Sequence, residues 1–221
     1  IQGELMPKVM ITGANRGIGR AMLDLYVARG WDCIATSRQD MPAQENVTWV
    51  NLDVRDPNSH QTIEGPLDLL ICNAGVYLDK GATIGNGFSA SDWSETMAAN
   101  VTGVYLTIEA QLDAVRQSKA GKIAIISSQM ASSTNAPGGS YIYRASKAAA
   151  LNLGRNLSSD LKSEGIAVGI YHPGWVQTDM GGGEADIDVA TASNGLIARF
   201  EELSIETTGC FETWDGRAHP Y

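Results

Sequence analysis

Tyr143 and Lys147 are the residues in this chain whose types and spacing best suit proton chemistry. On a helix, positions i and i+4 share a face one turn apart. Tyr141 has Ala145 at that spacing and does not qualify. A phenol with a pKa near ~10 is a poor acid at neutral pH, and bringing it near 7 takes roughly 4 kcal/mol. One cation ~4 Å away in a medium of effective dielectric ~20 contributes about that much before desolvation costs. A lysine on the same helical face is therefore of the right size to tune a tyrosine.

Other groups could complete such a site. Ile125-Ile126-Ser127-Ser128 ends an apolar run, where a serine hydroxyl could bind a substrate oxygen. Asn73-Ala74-Gly75 closes another apolar run, Asn100 lies within a long helical segment, and Pro173 to Thr178 follow His172. The run Thr12-Gly13-Ala14-Asn15-Arg16-Gly17-Ile18-Gly19 is a glycine-rich turn at the start of a helix. Its glycines let backbone approach a ligand closely, and the helix start offers N–H groups and a positive dipole end to a pyrophosphate.

These groups need elements to position them. Strands are expected at Lys8–Thr12, Asp32–Ser37, Val47–Leu52, Leu67–Cys72, Lys122–Ser127 and Ile166–Tyr171. They alternate with helical segments that end near Arg29 and span about Ser91–Lys119 and Tyr141–Glu164. Strands this apolar, separated by helices, belong to a parallel sheet buried on both faces. Right-handed crossovers make it doubly wound, and ligands then bind at the carboxyl ends of the strands, where every candidate above falls. The Gly-rich, acidic stretch 181–192 reads as a loop before a last helix, and the short span from Asp53 to Asn73 leaves room only for a clipped helix.

The 221 residues carry 16 basic and 25 acidic side chains, a formal charge of −9. That length suits one domain, residues 1–221. The acidic balance argues against nucleic acid and anionic membranes as partners. No apolar run approaches the ~20 residues of a membrane span. Residues 1–5 read as a remnant ahead of a natural start at Met6. Cys33, Cys72 and Cys210 are far apart and odd in number, which suits free thiols in a reducing cytosol. The three histidines lack metal-ligand spacing, and Glu184, Asp186 and Asp188 read as a solvated loop, so no metal is expected.

The glycine turn of the form TGxxxGxG, Asn73-Ala74-Gly75, Asn100, Ser128, Tyr143/Lys147 and His172–Thr178, in this order, resemble the short-chain dehydrogenase/reductase family. The run Tyr143–Ala149, the segment His172–Met180 and the tail Gly209–Tyr221 are most similar to its C-factor/sniffer carbonyl-reductase branch. The resemblance implies a single-domain Rossmann fold, a three-layer αβα sandwich. It implies Tyr143 as general acid/base, Lys147 lowering its pKa and holding ribose hydroxyls, Ser128 orienting the substrate oxygen and Asn100 anchoring a water. Gly13, Asn15, Arg16, Gly17, Ile18, Gly19, Asp53, Val54, Asn73, Ala74, Gly75, Pro173, Gly174, Val176 and Thr178 would surround a nicotinamide dinucleotide. Family members often place the serine thirteen residues before the tyrosine, whereas Ser128 stands fifteen before Tyr143 and Met130 occupies the usual place, so a two-residue loop extension is expected, with Ser132 or Ser133 as the substitute serine.

Thr36-Ser37-Arg38 ends the second strand without the acid that binds a ribose 2′-hydroxyl. Ser37, Arg38 and Arg16 suit a 2′-phosphate, which favours NADP(H) over NAD(H). The expected enzyme is a cytoplasmic NADP(H)-dependent oxidoreductase acting on a small carbonyl or alcohol. The resemblance adds a homodimer or homotetramer built through the two long helices. The rival reading on the same fold is a non-catalytic NADP(H)-binding redox sensor or signalling protein.

Overall fold

The computed structural model describes residues 6–221, so the expected remnant at 1–5 lies outside the described residues. Among the described residues, seven parallel strands form one sheet: β1 (Lys8–Ile11), β2 (Asp32–Ser37), β3 (Val47–Asn51), β4 (Leu69–Cys72), β5 (Lys122–Ile126), β6 (Ala167–His172) and β7 (Phe211–Thr213). Their order across the sheet is β3-β2-β1-β4-β5-β6-β7. The order reverses direction between β1 and β4, the switch point at which such sheets open a crevice for ligands.

Each central strand feeds two cores because successive side chains point to opposite faces. Val9, Ile11, Cys33, Ala35, Leu69, Ile71, Ala124 and Ile126 face one side, where Met22, Leu23 and Tyr26 of α1 (Gly17–Ala28) meet Leu196, Ile197 and Phe200 of α5 (Val189–Glu202). Met10, Ile34, Leu70, Cys72, Ile123, Ile125, Val168 and Ile170 face the other. There they pack on Val104 and Ile108 of α3 (Gly103–Gln117) and on Leu151 of α4 (Tyr141–Leu161). This is the expected αβα sandwich. It is held by burial of the central strands on both faces, the edge strand β3 alone showing Thr48 and Asn51 to solvent.

Three features depart from the sequence reading. No helix joins β3 to β4; the chain crosses through a single 3₁₀ turn at Pro57–Ser59, capped by the Asp56 carboxylate on the Asn58 N–H. The long segment before β5 is divided: α2 (Ala90–Met97) passes through a π-helical turn at Ala98–Thr102 into α3. The tail adds β7 beside β6, a strand of three residues, too short to show a period.

Candidate active site

The glycine turn delivers its backbone into a cavity of about 820 Å³ at the switch point. Gly13 and Gly17 take φ of +65° and +57°, a region that suits glycine. A Cβ on Gly19 would lie 2.3 Å from the Gly13 carbonyl oxygen and 2.5 Å from Asn73 Nδ2, so only glycine allows α1 to start this close to the turn. Arg16, at the helix start, makes no side-chain capping bond, so the first-turn N–H groups of α1 stay free for an anion. Asn73 itself clamps the turn: its Nδ2 donates to the Thr12 and Gly13 carbonyls at 3.0 and 3.2 Å. The backbone N–H groups of Asn73 and Ala74 donate to the Thr12 hydroxyl. Asn73 thus shapes the site through its side chain while also lining it.

Gly13, Asn15, Arg16, Gly17, Ile18, Gly19, Ser37, Arg38, Asp53, Val54, Asn73, Ala74, Gly75, Tyr143, Lys147, Pro173 and Thr178 line this one cavity. Gly174 and Val176 do not. Gly174 turns the chain with φ of +92°, and Val176 is buried where its segment pairs with Ile187. Local sequence could not separate these inward residues from their cavity-lining neighbours.

At the end of β2, the Ser37 hydroxyl accepts the Gln39 N–H and Arg38 is exposed. Asp53 is gripped by Arg55 through both carboxylate oxygens, and Arg55 also pairs with Glu95 at 2.7 Å. The Arg55 guanidinium holds the Asp53 carboxyl down to about 2. Arg16 pairs with Asp179 at 2.8 Å across the cavity mouth. Both partners are well exposed, so the pair is weak and exchangeable. Arg55 and Asp179 were not legible as site residues, since their partners come from elsewhere in the fold or through a bend no period reports.

Tyr143 and Lys147, the expected acid/base pair, also line the cavity, whereas Ser128 and Asn100 do not. Tyr143 and Lys147 lie on the buried face of α4, one turn apart. The Ser128 hydroxyl sits beside the Tyr143 phenol and pulls its pKa down, while burial, the larger cause, pushes it up. Lys147 Nζ stands 5.6 Å from the centre of the Tyr143 ring and donates to the Ile126 carbonyl at 3.0 Å. Burial presses its own pKa down to about 8. The expected lowering of Tyr143 by Lys147 is not what acts here: desolvation raises the phenol, and Ser128 is the group that lowers it. The phenol stands protonated at neutral pH, as a proton donor must.

Of the three candidate serines, Ser128 is the one beside Tyr143. Its hydroxyl also accepts the Met130 N–H and caps a 3₁₀ turn at Gln129–Ala131. Ser132 instead donates to the Tyr221 carbonyl, and Ser133 is exposed. Asn100, in the π-helical turn, donates both amide hydrogens, to the Val76 carbonyl and to the Ser146 hydroxyl, while its Oδ1 accepts the Val76 N–H. The side chain is a clamp between Val76 and Ser146, and its Oδ1 keeps acceptor capacity for the expected water.

One aromatic packs directly on the tyrosine. Tyr77 stacks on Tyr143, a contact absent from the sequence reading, and Tyr141 meets Phe88 edge-on. Trp175 is about half exposed and donates its indole N–H to the Gly181 carbonyl. Asp188 is engaged in capping α5 on the Thr191 N–H. Among the described residues no group of three or more His, Cys, Asp or Glu side chains gathers as a metal site. Among them, too, no helix is long and apolar enough to cross a membrane.

The profile of the family described as short chain dehydrogenase matches residues 7–186. The C-signal protein of Myxococcus xanthus is 36% identical over 159 residues, 71% of this chain and 94% of that protein. NADPH-bound carbonyl reductase from chicken fatty liver superposes with a TM-score of 0.87 at 30% identity, covering 98% of this chain and 99% of its own. Carbonyl reductase Sniffer of Drosophila melanogaster superposes with a TM-score of 0.89 at 27% identity, covering 98% and 100%.

Proposed function

The chain belongs to the short-chain dehydrogenase family, and on that premise we propose that this oxidoreductase uses NADP(H) to interconvert a ketone or aldehyde with its alcohol, Tyr143 acting as general acid/base. The observation that carries the reading is a convergence. One cavity is lined both by the phosphate-ready glycine turn and by the Tyr143/Lys147 pair, with Ser128 against the phenol.

NADPH, when bound, supplies the hydride. Its pyrophosphate suits the free N–H groups at the start of α1, and a 2′-phosphate suits Ser37, Arg38 and Arg16. The absence of an acid at the end of β2 supports that preference, as does the NADPH-bound chicken enzyme. Ser128 and Tyr143 hold the carbonyl oxygen through two hydroxyl donors. Tyr143 then gives its proton to the developing alkoxide. Lys147 has two N–H donors beyond its bond to Ile126; they suit ribose hydroxyls, and its charge stabilises the phenolate left behind. In the reverse direction the phenolate takes the alcohol proton.

The test is turnover of NADPH and NADH against aldehydes, diketones and quinones, with Tyr143→Phe alongside. Turnover with NADPH that falls at least ~100-fold in the variant is expected for loss of a general acid. NADPH binding without turnover on any substrate would favour the non-catalytic sensor instead. Assembly through α3 and α4 as a dimer or tetramer belongs to the same proposal, supported by the exposed Tyr105 on α3, and light scattering measures it directly. A cytoplasmic location fits the free thiols of Cys33, Cys72 and Cys210.

A further inference from the structure

The N-terminus of α4, the helix that carries Tyr143, has no local cap. Ser140, at the capping position, sits in the left-handed region with φ of 47° and makes no capping bond; its hydroxyl is hydrogen-bonded to that of Tyr77. The cap comes from 63 residues upstream of Ile142. The Asp79 carboxylate, only 1% exposed, accepts the Ile142 N–H at 2.9 Å and the Tyr143 N–H at 3.2 Å. A buried carboxylate needs compensation of this kind: two N–H donors and the positive end of a 21-residue helix. The next residue points the other way. Lys80 Nζ donates to the Met180 and Gly181 carbonyls at 3.0 and 3.4 Å, beyond the cavity-lining Thr178.

We propose that Asp79 is a positioning residue for Tyr143: by holding the main chain of Tyr143 from the loop after Gly75, it sets where the phenol stands against Ser128. The proposal rests on Tyr143 being the acid/base, and it assigns Asp79 no contact with substrate. A local cap on Ser140 would fix the helix start only to its own turn. Asp79 fixes it to the loop that also carries Tyr77 and, through Lys80, to the segment after β6. An Asn at position 79 could accept one N–H, but its own NH₂ would face the second donor, so the near-isosteric Asp79→Asn is the informative variant.

Amide hydrogen exchange, steady-state kinetics and ultraviolet titration of the phenol would be measured on wild type, Asp79→Asn, Asp79→Ala, Lys80→Met and Tyr143→Phe. In Asp79→Asn, exchange at Ile142 and Tyr143 should quicken about tenfold and kcat fall about tenfold, with KM and the NADPH Kd moving less than about twofold. The phenol titration should move with them, whereas Lys80→Met should raise KM and leave the α4 amides protected. Unchanged exchange at Ile142 and Tyr143, or quickened exchange with kcat and titration unmoved, overturns the proposal. Tyr143→Phe turning over like wild type overturns the acid/base reading instead, while exchange and titration still judge Asp79.

Discussion

The ring of Tyr77 lies on the ring of Tyr143, centroids 4.2 Å apart and planes 22° apart. The contact walls one face of the phenol with an aromatic from a different loop, shielding it from water. Such pairs are worth about 0.5–1.5 kcal/mol beyond area burial. Tyr77→Ala should therefore lower kcat/KM for carbonyl reduction roughly three- to tenfold, while Tyr77→Phe, which keeps the ring and loses only the bond to Ser140, stays within about twofold. Parallel steady-state kinetics on the two variants measure the difference.

Lys147 sets an upper pH limit. Its pKa is pressed down to about 8 by burial, so the ammonium is lost in the folded protein well below the usual lysine range. On the proposed mechanism, reduction needs that charge to stabilise the phenolate. The profile of kcat/KM should be flat near neutrality and turn down above pH 8, and a profile still flat at pH 10 would refute this role.

His172 makes stability acid-sensitive. Burial, aided by His219 and Arg217, presses its pKa down to about 4, and its Nδ1 has no partner among the described residues. The unfolded chain therefore binds a proton that the folded chain refuses. Stability is undiminished by this group above about pH 6.5, falls as pH drops from there to about 4, and levels off below. The loss is on the order of 3 kcal/mol. Urea melts of wild type and His172→Gln across that range should converge or cross, the variant showing the shallower dependence.

Gly19→Ala places a methyl against the Gly13 carbonyl and the Asn73 amide. Relief means moving the phosphate turn, at about 1–3 kcal/mol. A drop in melting temperature together with at least tenfold weaker NADPH binding is expected. Fluorescence titration that gives wild-type affinity would show that the turn does not hold the cofactor.

Arg38 offers a test of cofactor choice. A charge-assisted bond to a 2′-phosphate is worth about 1.5–3 kcal/mol, so Arg38→Ala should weaken NADPH about tenfold or more and leave NADH nearly unchanged. Equal losses for both cofactors would remove Arg38 from recognition of that phosphate.

What the amino-acid order alone determined is what depends on neighbours in the chain. β2 runs Asp32–Ser37 as its apolar run indicates, because burial on both faces demands such a run wherever it falls. Tyr143 and Lys147 share the buried face of α4 because four residues make about one helical turn. The glycine turn is legible for the same local reason. The tertiary structure alone decided matters that depend on which distant groups meet. It put Ser128 rather than Ser132 beside the phenol, and it engaged both amide hydrogens of Asn100 with Val76 and Ser146. It turned Val176 inward, paired Asp53 with Arg55, and brought Asp79 to cap a helix that begins 62 residues later. It also shifted Tyr143 upward, since a pKa follows desolvation and charges in three dimensions rather than spacing along the chain. Hydrogen-bonding capacity belongs to each residue; its partner is chosen only when the chain is packed.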